Sequence, residues 1–157
     1  GDEYIRRDSL SLERFLADAR VYLQSFTDTA DRGGFQNTDI LSTLHDVEAE
    51  IRAYPERRPI VYIFSDMLQS GPGIEMEGLR NMPPDGWIEE RAAEGRLPNL
   101  EGVCFYVAGA RTDTWSSQQV RGFWREFFEA TGAELGGYTL RPVRLPVDPC
   151  RPGGGGG

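Results

Sequence analysis

Five consecutive apolar residues at positions 60–64 constrain the fold of this chain more than any other stretch. The run consists mainly of β-branched and aromatic side chains, which favour the pleated backbone of a strand. It is too short for a buried helix, and the breaker Gly71-Pro72-Gly73 follows soon after it. Apolar residues at successive positions indicate that both faces are covered, as in the centre of a parallel sheet. We therefore predict an α/β fold built on this strand.

Two amphipathic helices are predicted before the central strand. Apolar residues recur at steps of three and four over residues 11–27 and again over residues 40–51. The second helix ends before Pro55, and any of three side chains could cap its start: Asn37, Thr38 and Asp39. Residues 3–7 are a candidate edge strand.

The second half of the chain predicts one more buried strand, an aromatic helix and an edge strand. A long irregular connection over residues 69–99 includes a short helix at 87–93. The buried strand spans residues 103–108, and a capping box at 116–119 begins the aromatic helix. The last strand, residues 136–142, ends in a proline that cannot donate to a ladder, which predicts an edge position.

This order of elements predicts a three-layer Rossmann-like α/β sandwich with a mostly parallel sheet. The chain has 157 residues, the size of one ordinary domain. We expect residues 1–146 to form that domain and residues 147–157, which end in five glycines, to be a flexible tail. The chain starts with Gly-Asp-Glu instead of Met, so we expect a cut fragment or a processed form.

Charge and cysteine content limit the functional classes. The net charge of −8 argues against a nucleic-acid backbone or an anionic membrane surface as the main partner. No apolar run approaches the roughly 20 residues of a membrane helix. Cys104 is expected to be a reduced core residue and Cys150 to lie in the tail, with a disulfide between them left open. For the single histidine, His45, at the margin of an apolar stripe, we expect a surface or core-edge role and not catalysis.

Three oxygen-bearing side chains could converge at the carboxyl edge of the predicted sheet. Asp66 follows the central strand, Asp113 follows the next strand, and Thr38 lies where a helix begins. Ligands of open α/β sheets bind at this edge. A hard cation such as Mg²⁺ prefers oxygen ligands, often one or two carboxylates with waters. From the residues alone, Asp66 is equally well interpreted as a metal or substrate ligand or as a cap of the following loop.

Two short motifs resemble a known family. Residues 37–41, Asn-Thr-Asp-Ile-Leu, followed by residues 60–67, Ile-Val-Tyr-Ile-Phe-Ser-Asp-Met, look like the middle of a von Willebrand factor A-like domain. In that family a threonine at a helix start and an aspartate after a central strand belong to a metal-ion-dependent adhesion site. The resemblance covers residues 36–143 and implies that Thr38 and Asp66 are ligands of Mg²⁺.

The chain departs from the family pattern in one respect. The family's site also requires Asp-x-Ser-x-Ser after the first strand, but Asp8-Ser-Leu-Ser11 is out of register by one position. No earlier hydrophobic strand is evident, so we expect that strand to have been cut off, to lie on another chain or to have been lost. Metal binding by this chain alone would then be weak.

Three functional classes remain open. The first is a von Willebrand factor A-like protein-interaction module, in which the carboxyl edge meets a protein partner through these residues: Asn37, Asp39, Met67 and Arg111. The second is a metal-dependent hydrolase or phosphoryl-transfer enzyme that uses Asp66 and Asp113. The missing base, nucleophile and Gly-x-x-x-x-Gly-Lys loop count against it. The third is a structural subunit whose metal site has decayed, which the missing serines favour over the second.

Overall fold

The computed structural model describes residues 39–56 and 58–151 in full and the backbone of residues 19–25. The helices and strands, in chain order, are β1 (Ala19–Ser25), α1 (Ile40–Ile51), β2 (Arg58–Phe64), β3 (Ser70–Gly71), β4 (Ile74–Glu75), α2 (Trp87–Ala93), β5 (Cys104–Ala108), α3 (Trp115–Thr131) and β6 (Glu134–Thr139). A short 3₁₀ turn at Glu77–Leu79 lies between β4 and α2.

A four-stranded parallel sheet in the order β1-β2-β5-β6 forms the centre of the described structure. The α/β class and the parallel sheet are thus confirmed. Because the strand order advances in one direction, right-handed connections put every crossover on the same face. All three helices share one hydrophobic cluster on that face. The described residues form one helical layer, and a second helical layer is not found among them.

Aromatic and aliphatic side chains fill the space between the helices and the sheet. The buried stripe of α1 lies at the predicted spacing, and α3 contributes Trp124, Phe127 and Phe128, all at most 1 % exposed. Phe128 stacks on Phe105 of β5 with ring centroids 4.6 Å apart. The aromatic content of this helix is therefore explained by docking onto the sheet.

The opposite face of the sheet is covered by irregular chain near the C-terminus. Leu145 and Cys150 pack on a small cluster that includes Tyr62 and Tyr106. Cys150 forms a disulfide with Cys104, so the expectation of a reduced core cysteine is wrong. Apolar surroundings suited either state of Cys104, and the partner 46 residues away gave no spacing signal.

Two glycines of β6 make room on this face. Gly137 pairs with Tyr106, and the tyrosine ring lies where a Cβ of residue 137 would be. A Cβ on Gly136 would approach Pro149 to 2.7 Å. Residues 147–151, which were expected to belong to a flexible tail, thus contact the sheet through Pro149 and Cys150.

The helix predicted over residues 11–27 is wrong where the structure describes it, because Ala19–Ser25 is a strand paired in parallel with β2. Residues 19, 21 and 23 are Ala, Val and Leu and alternate with Arg, Tyr and Gln. This alternation with a period of two is typical of a strand. The predicted helix rested instead on apolar residues at steps of three and four. The expectation that no hydrophobic strand precedes the central one is wrong as well. The candidate strand at 3–7 lies outside the described residues.

Other boundaries differ less. α2 and the core of β5 lie where the sequence predicted them, and β6 lies at an edge of the described sheet. The capping box of α3 is formed by Thr114 and Ser117 instead of residues 116–119. Of the helices in the described part of the chain, none is long and apolar enough to cross a membrane.

Candidate functional site

Asp66 lies at the carboxyl end of the central strand on a tightly bonded turn. The backbone N–H of Leu68 donates to Asp66 Oδ1 at 2.9 Å, and the N–H of Met67 donates to Ser65 Oγ at 2.9 Å. Ser65 is buried and Asp66 is exposed. The interpretation of Asp66 as a loop cap is therefore confirmed, but it uses only one oxygen. Within the described residues, Oδ2 accepts no hydrogen bond.

The turn is held in a strained conformation by the helical layer. Met67 has a φ of 64°, a left-handed conformation that costs a non-glycine residue about 1–3 kcal/mol. Its carbonyl accepts a 2.7 Å hydrogen bond from Nε1 of the buried Trp124. The Met67 side chain is fully buried. The predicted partner contact at Met67 is therefore corrected, because its side chain is buried and anchors the turn, whereas Asp66 is exposed.

A cavity of about 330 Å³ opens beside Asp66. Asp66 and Arg111 contribute its charged groups, and the first turn of α3 contributes hydroxyl groups. Leu79, which has a φ of 56°, lines it from the other side. Two of the predicted site residues, Asp66 and Arg111, thus meet at one cavity. Of the described non-glycine residues with positive φ, Leu79 lines the cavity and Met67 directly follows Asp66. Such strain is concentrated at functional sites in proteins.

Asp113 is engaged by its neighbour. Arg111 donates from Nε and Nη2 to the two carboxylate oxygens of Asp113, at 3.0 Å each. These hydrogen bonds lower the pKa of Asp113 and raise that of Arg111. The pair is exposed, and Asp113 does not line the cavity. The positive charge of Arg111 disfavours binding of a cation at these oxygens.

The first turn of α3 presents a helix N-terminus to the cavity. Ser117 N–H donates to Thr114 Oγ1 at 3.0 Å, and Thr114 N–H donates to Ser117 Oγ at 3.0 Å. Deeper in, the hydroxyl of Tyr138 is buried with no hydrogen-bond partner among the described residues. Burial raises the pKa of Tyr138, so this hydroxyl stays protonated. The sequence predicts Tyr138 only as part of an edge strand, and its contact with the helical cluster depends on the packing.

Asp39 begins α1 at the same edge of the sheet. It accepts hydrogen bonds from Ser42 N–H at 3.1 Å and from Gln69 Nε2 at 2.9 Å. Burial alone would raise the pKa of Asp39, but the hydrogen bonds from Gln69 and Ser42 outweigh it and lower the pKa. Asp39 is therefore the helix cap. Asn37 and Thr38 lie outside the described residues.

The donor set fits a divalent cation in part. Asp66 Oδ2 is an available carboxylate oxygen, whereas both oxygens of Asp113 are occupied. No cluster of three or more His, Cys, Asp or Glu residues that could hold a metal exists among residues 39–56 and 58–151. A cation at this edge would depend on waters and on oxygen ligands beyond these two aspartates.

The comparisons with known proteins found no relative. No family model, curated protein or solved structure matches this chain.

Proposed function

We propose that this chain is a von Willebrand factor A-like module that binds a protein partner at the carboxyl edge of its sheet. The observation that carries the proposal is the turn at Asp66. An exposed carboxylate stands at the end of the central parallel strand, on a backbone that is strained and fixed from the core by Trp124. Rigid presentation of a charged group at this edge favours recognition over a purely structural role.

The proposed partner contacts surround this carboxylate. Arg111 and Asp66 line the same cavity, and Asp39 begins α1. In the proposed complex the partner displaces or complements the Arg111–Asp113 ion pair, which is fully accessible at the surface. A surface pair of this kind is screened by solvent, so rearranging it costs little.

Mg²⁺ is the proposed cofactor of the complex, bound at a partial site. Asp66 would hold it through its available oxygen, and Thr38 and Asp113 are the other proposed ligands. The cation would neutralise Asp66 and give an acidic side chain of the partner something to coordinate. The chain's own contribution is the fixed position of Asp66.

The position of β1 is relevant to the family's Asp-x-Ser-x-Ser motif, which follows the first strand of the sheet. Ser25 is the last residue of β1 and pairs with Phe64, so the chain leaves β1 at the same edge as Asp66. The sequence continues Phe26-Thr27-Asp28-Thr29, which carries hydroxyl and carboxyl groups after a strand. These residues, and not Asp8-Ser-Leu-Ser11, are the segment of this chain that we propose in place of the family's Asp-x-Ser-x-Ser.

Partner capture at fixed ionic strength tests the proposal. We expect the immobilised chain to retain a specific partner in Mg²⁺, and Asp66→Asn to lose it. Asp46→Asn is the matched control, because Asp46 is exposed on α1 and its substitution removes the same charge. Retention unchanged by Asp66→Asn would contradict the role of this edge. Retention that survives a chelator but requires Asp66 would remove the cation and keep the edge.

A further inference from the structure

A second surface of the molecule lies on the helical layer, away from Asp66. It is a groove of about 640 Å³ between the segment at residues 82–89 and one side of α3. Met82, Pro83 and Trp87 form one wall, and Phe123 and Trp115 form part of the other. This volume lies within the range of about 300–1,000 Å³ that is usual for binding clefts.

Two residues of α3, Trp115 and Gly122, leave its wall of the groove uncovered. Trp115 is 73 % exposed although it is the largest type of apolar side chain. Gly122 lies in the middle of α3 and also lines the groove, and a Cβ at this position would meet nothing within 4 Å. A glycine inside a helix lowers its stability relative to alanine, and packing does not require one here. The absence of a side chain at Gly122 keeps the groove open.

The charge of the groove has one sign. Asp85, Glu89 and Glu126 line it, and no arginine in the described part of the chain does. Within the described residues, none of these three carboxylates makes an ion pair or a side-chain hydrogen bond. Three unpaired carboxylates around the exposed ring of Trp115 and the half-buried rings of Trp87 and Phe123 are complementary to a ligand that is both cationic and apolar.

We propose that this groove binds a short basic segment of a partner protein, in which Lys or Arg residues flank an apolar side chain. The apolar side chain would cover Trp87 and Phe123, and a cation would lie over the exposed ring of Trp115. The three carboxylates would pair with the flanking cations and direct the segment along the groove. Leu79 lines both the groove and the cavity beside Asp66, but neither Asp66 nor Arg111 lines the groove, so this proposal does not depend on the proposed metal site.

A titration with a labelled synthetic peptide tests the groove directly. The probe is a nine-residue peptide with three lysines and two leucines on a Gly/Ser background, measured by fluorescence anisotropy. We expect the double variant Glu89→Gln and Glu126→Gln to weaken binding about tenfold or more. The double variant Glu129→Gln and Glu134→Gln removes the same charge outside the groove, and we expect a change of about twofold or less. Equal weakening by the two pairs would overturn the proposal.

Gly122 provides a steric test that preserves all charges. Gly122→Leu fills the groove and should abolish binding of the peptide, whereas Gly122→Ala adds one methyl group and should retain it. Both variants should fold, because the position has room and alanine and leucine favour helices. Binding by Gly122→Leu at the affinity of the wild type would overturn the proposal.

Cross-linking then locates the peptide without any substitution. The 17 basic residues of the chain are all arginines, so a carbodiimide couples its carboxylates only to amines of the peptide or of the N-terminus. We expect the peptide's lysines on Asp85, Glu89 and Glu126. Cross-links spread over the chain's acidic residues, or binding lost in Asp66→Asn but kept in Gly122→Leu, would place the peptide elsewhere and refute the groove. The first of these outcomes leaves the carboxyl-edge proposal untouched.

Discussion

The two faces of the sheet differ in what covers them. Three helices lie against one face, where large aromatic residues of α3 fill the space and the buried cluster is extensive. Irregular chain lies against the other, where the cluster is small and the contacts are a disulfide, a tyrosine hydroxyl and an ion pair. Buried area therefore stabilises the first face, and specific links stabilise the second.

This difference has a consequence for function. Both surfaces proposed to bind partners belong to the helical face or its edge. Trp124 belongs to the core of that face, and its Nε1 also fixes the carbonyl of Met67 next to Asp66. Among the described residues, the opposite face contributes none to the cavity at Asp66. Changes on the helical face should thus reach the site, and changes on the other face should affect stability alone.

Trp124→Ala should have the largest effect. It removes the largest fully buried side chain and leaves the Met67 carbonyl without its donor. We expect a loss of about 3–5 kcal/mol in the free energy of unfolding, measured by urea denaturation. Trp124→Phe keeps most of the packing and should cost about 1–3 kcal/mol, chiefly from the unsatisfied carbonyl. A loss below about 1 kcal/mol for Trp124→Ala would contradict the importance of this face.

Cys150→Ser should have the next largest effect. The disulfide closes a loop with a sequence separation of 46, so its removal should cost about 2–4 kcal/mol. A reductant should destabilise the wild type by the same amount and leave Cys150→Ser unchanged. If the two faces are as separate as we infer, ligand binding at Asp66 by the folded variant stays within about twofold of the wild type.

The contribution of Tyr62 to the stability of the second face depends on pH. Its hydroxyl donates to the carbonyl of Pro146 at 2.5 Å, and Tyr62→Phe should cost about 1 kcal/mol at neutral pH. Burial first, and then the charge of Asp148, raise the pKa of Tyr62 from 10.0 to about 12. The folded state holds this proton more tightly, so the stabilisation is complete below pH 10 and is lost as the pH rises to about 12. The difference between wild type and Tyr62→Phe should shrink over that interval in denaturation series.

Arg58→Ala should have the smallest effect. Arg58 Nη1 lies 3.0 Å from Asp148 Oδ2, but the arginine side chain is 41 % exposed. An exposed pair is screened, and we expect a loss of at most about 1 kcal/mol in the free energy of unfolding. Salt at 1 M should remove most of the difference from the wild type. A larger loss that salt does not reduce would show that the second face is held more cooperatively than its separate links indicate.

The helical face was largely predictable from the sequence, since it follows from periodicity. The spacing of Ile40, Leu44 and Val47 and the aromatic stripe of α3 each point to one buried side, and the uninterrupted apolar runs identified β2 and β5. β1 was missed because its alternation was interpreted at a helical period. The position of Asp66 at the end of β2 was predicted correctly because parallel strands end at one edge.

The second face could not be predicted, because its contacts connect residues distant in sequence. Nothing near Cys150 indicates that Cys104 is its partner, and the hydroxyl of Tyr62 gives no signal of an acceptor 84 residues away. The same limit applies at the site. The bond from Trp124 to the Met67 carbonyl and the unpartnered hydroxyl of Tyr138 depend on three-dimensional packing alone.

Mn²⁺-induced broadening of backbone amide signals in two-dimensional NMR tests the central claim most directly, because Mn²⁺ can replace Mg²⁺ at oxygen ligands. We predict that substoichiometric Mn²⁺ broadens first the amide of Leu68, whose N–H binds Asp66 Oδ1, and that Asp66→Asn removes this broadening while Asp46→Asn does not. Broadening that begins elsewhere, or that persists unchanged in Asp66→Asn, would contradict a cation-assisted binding site at this edge of the sheet.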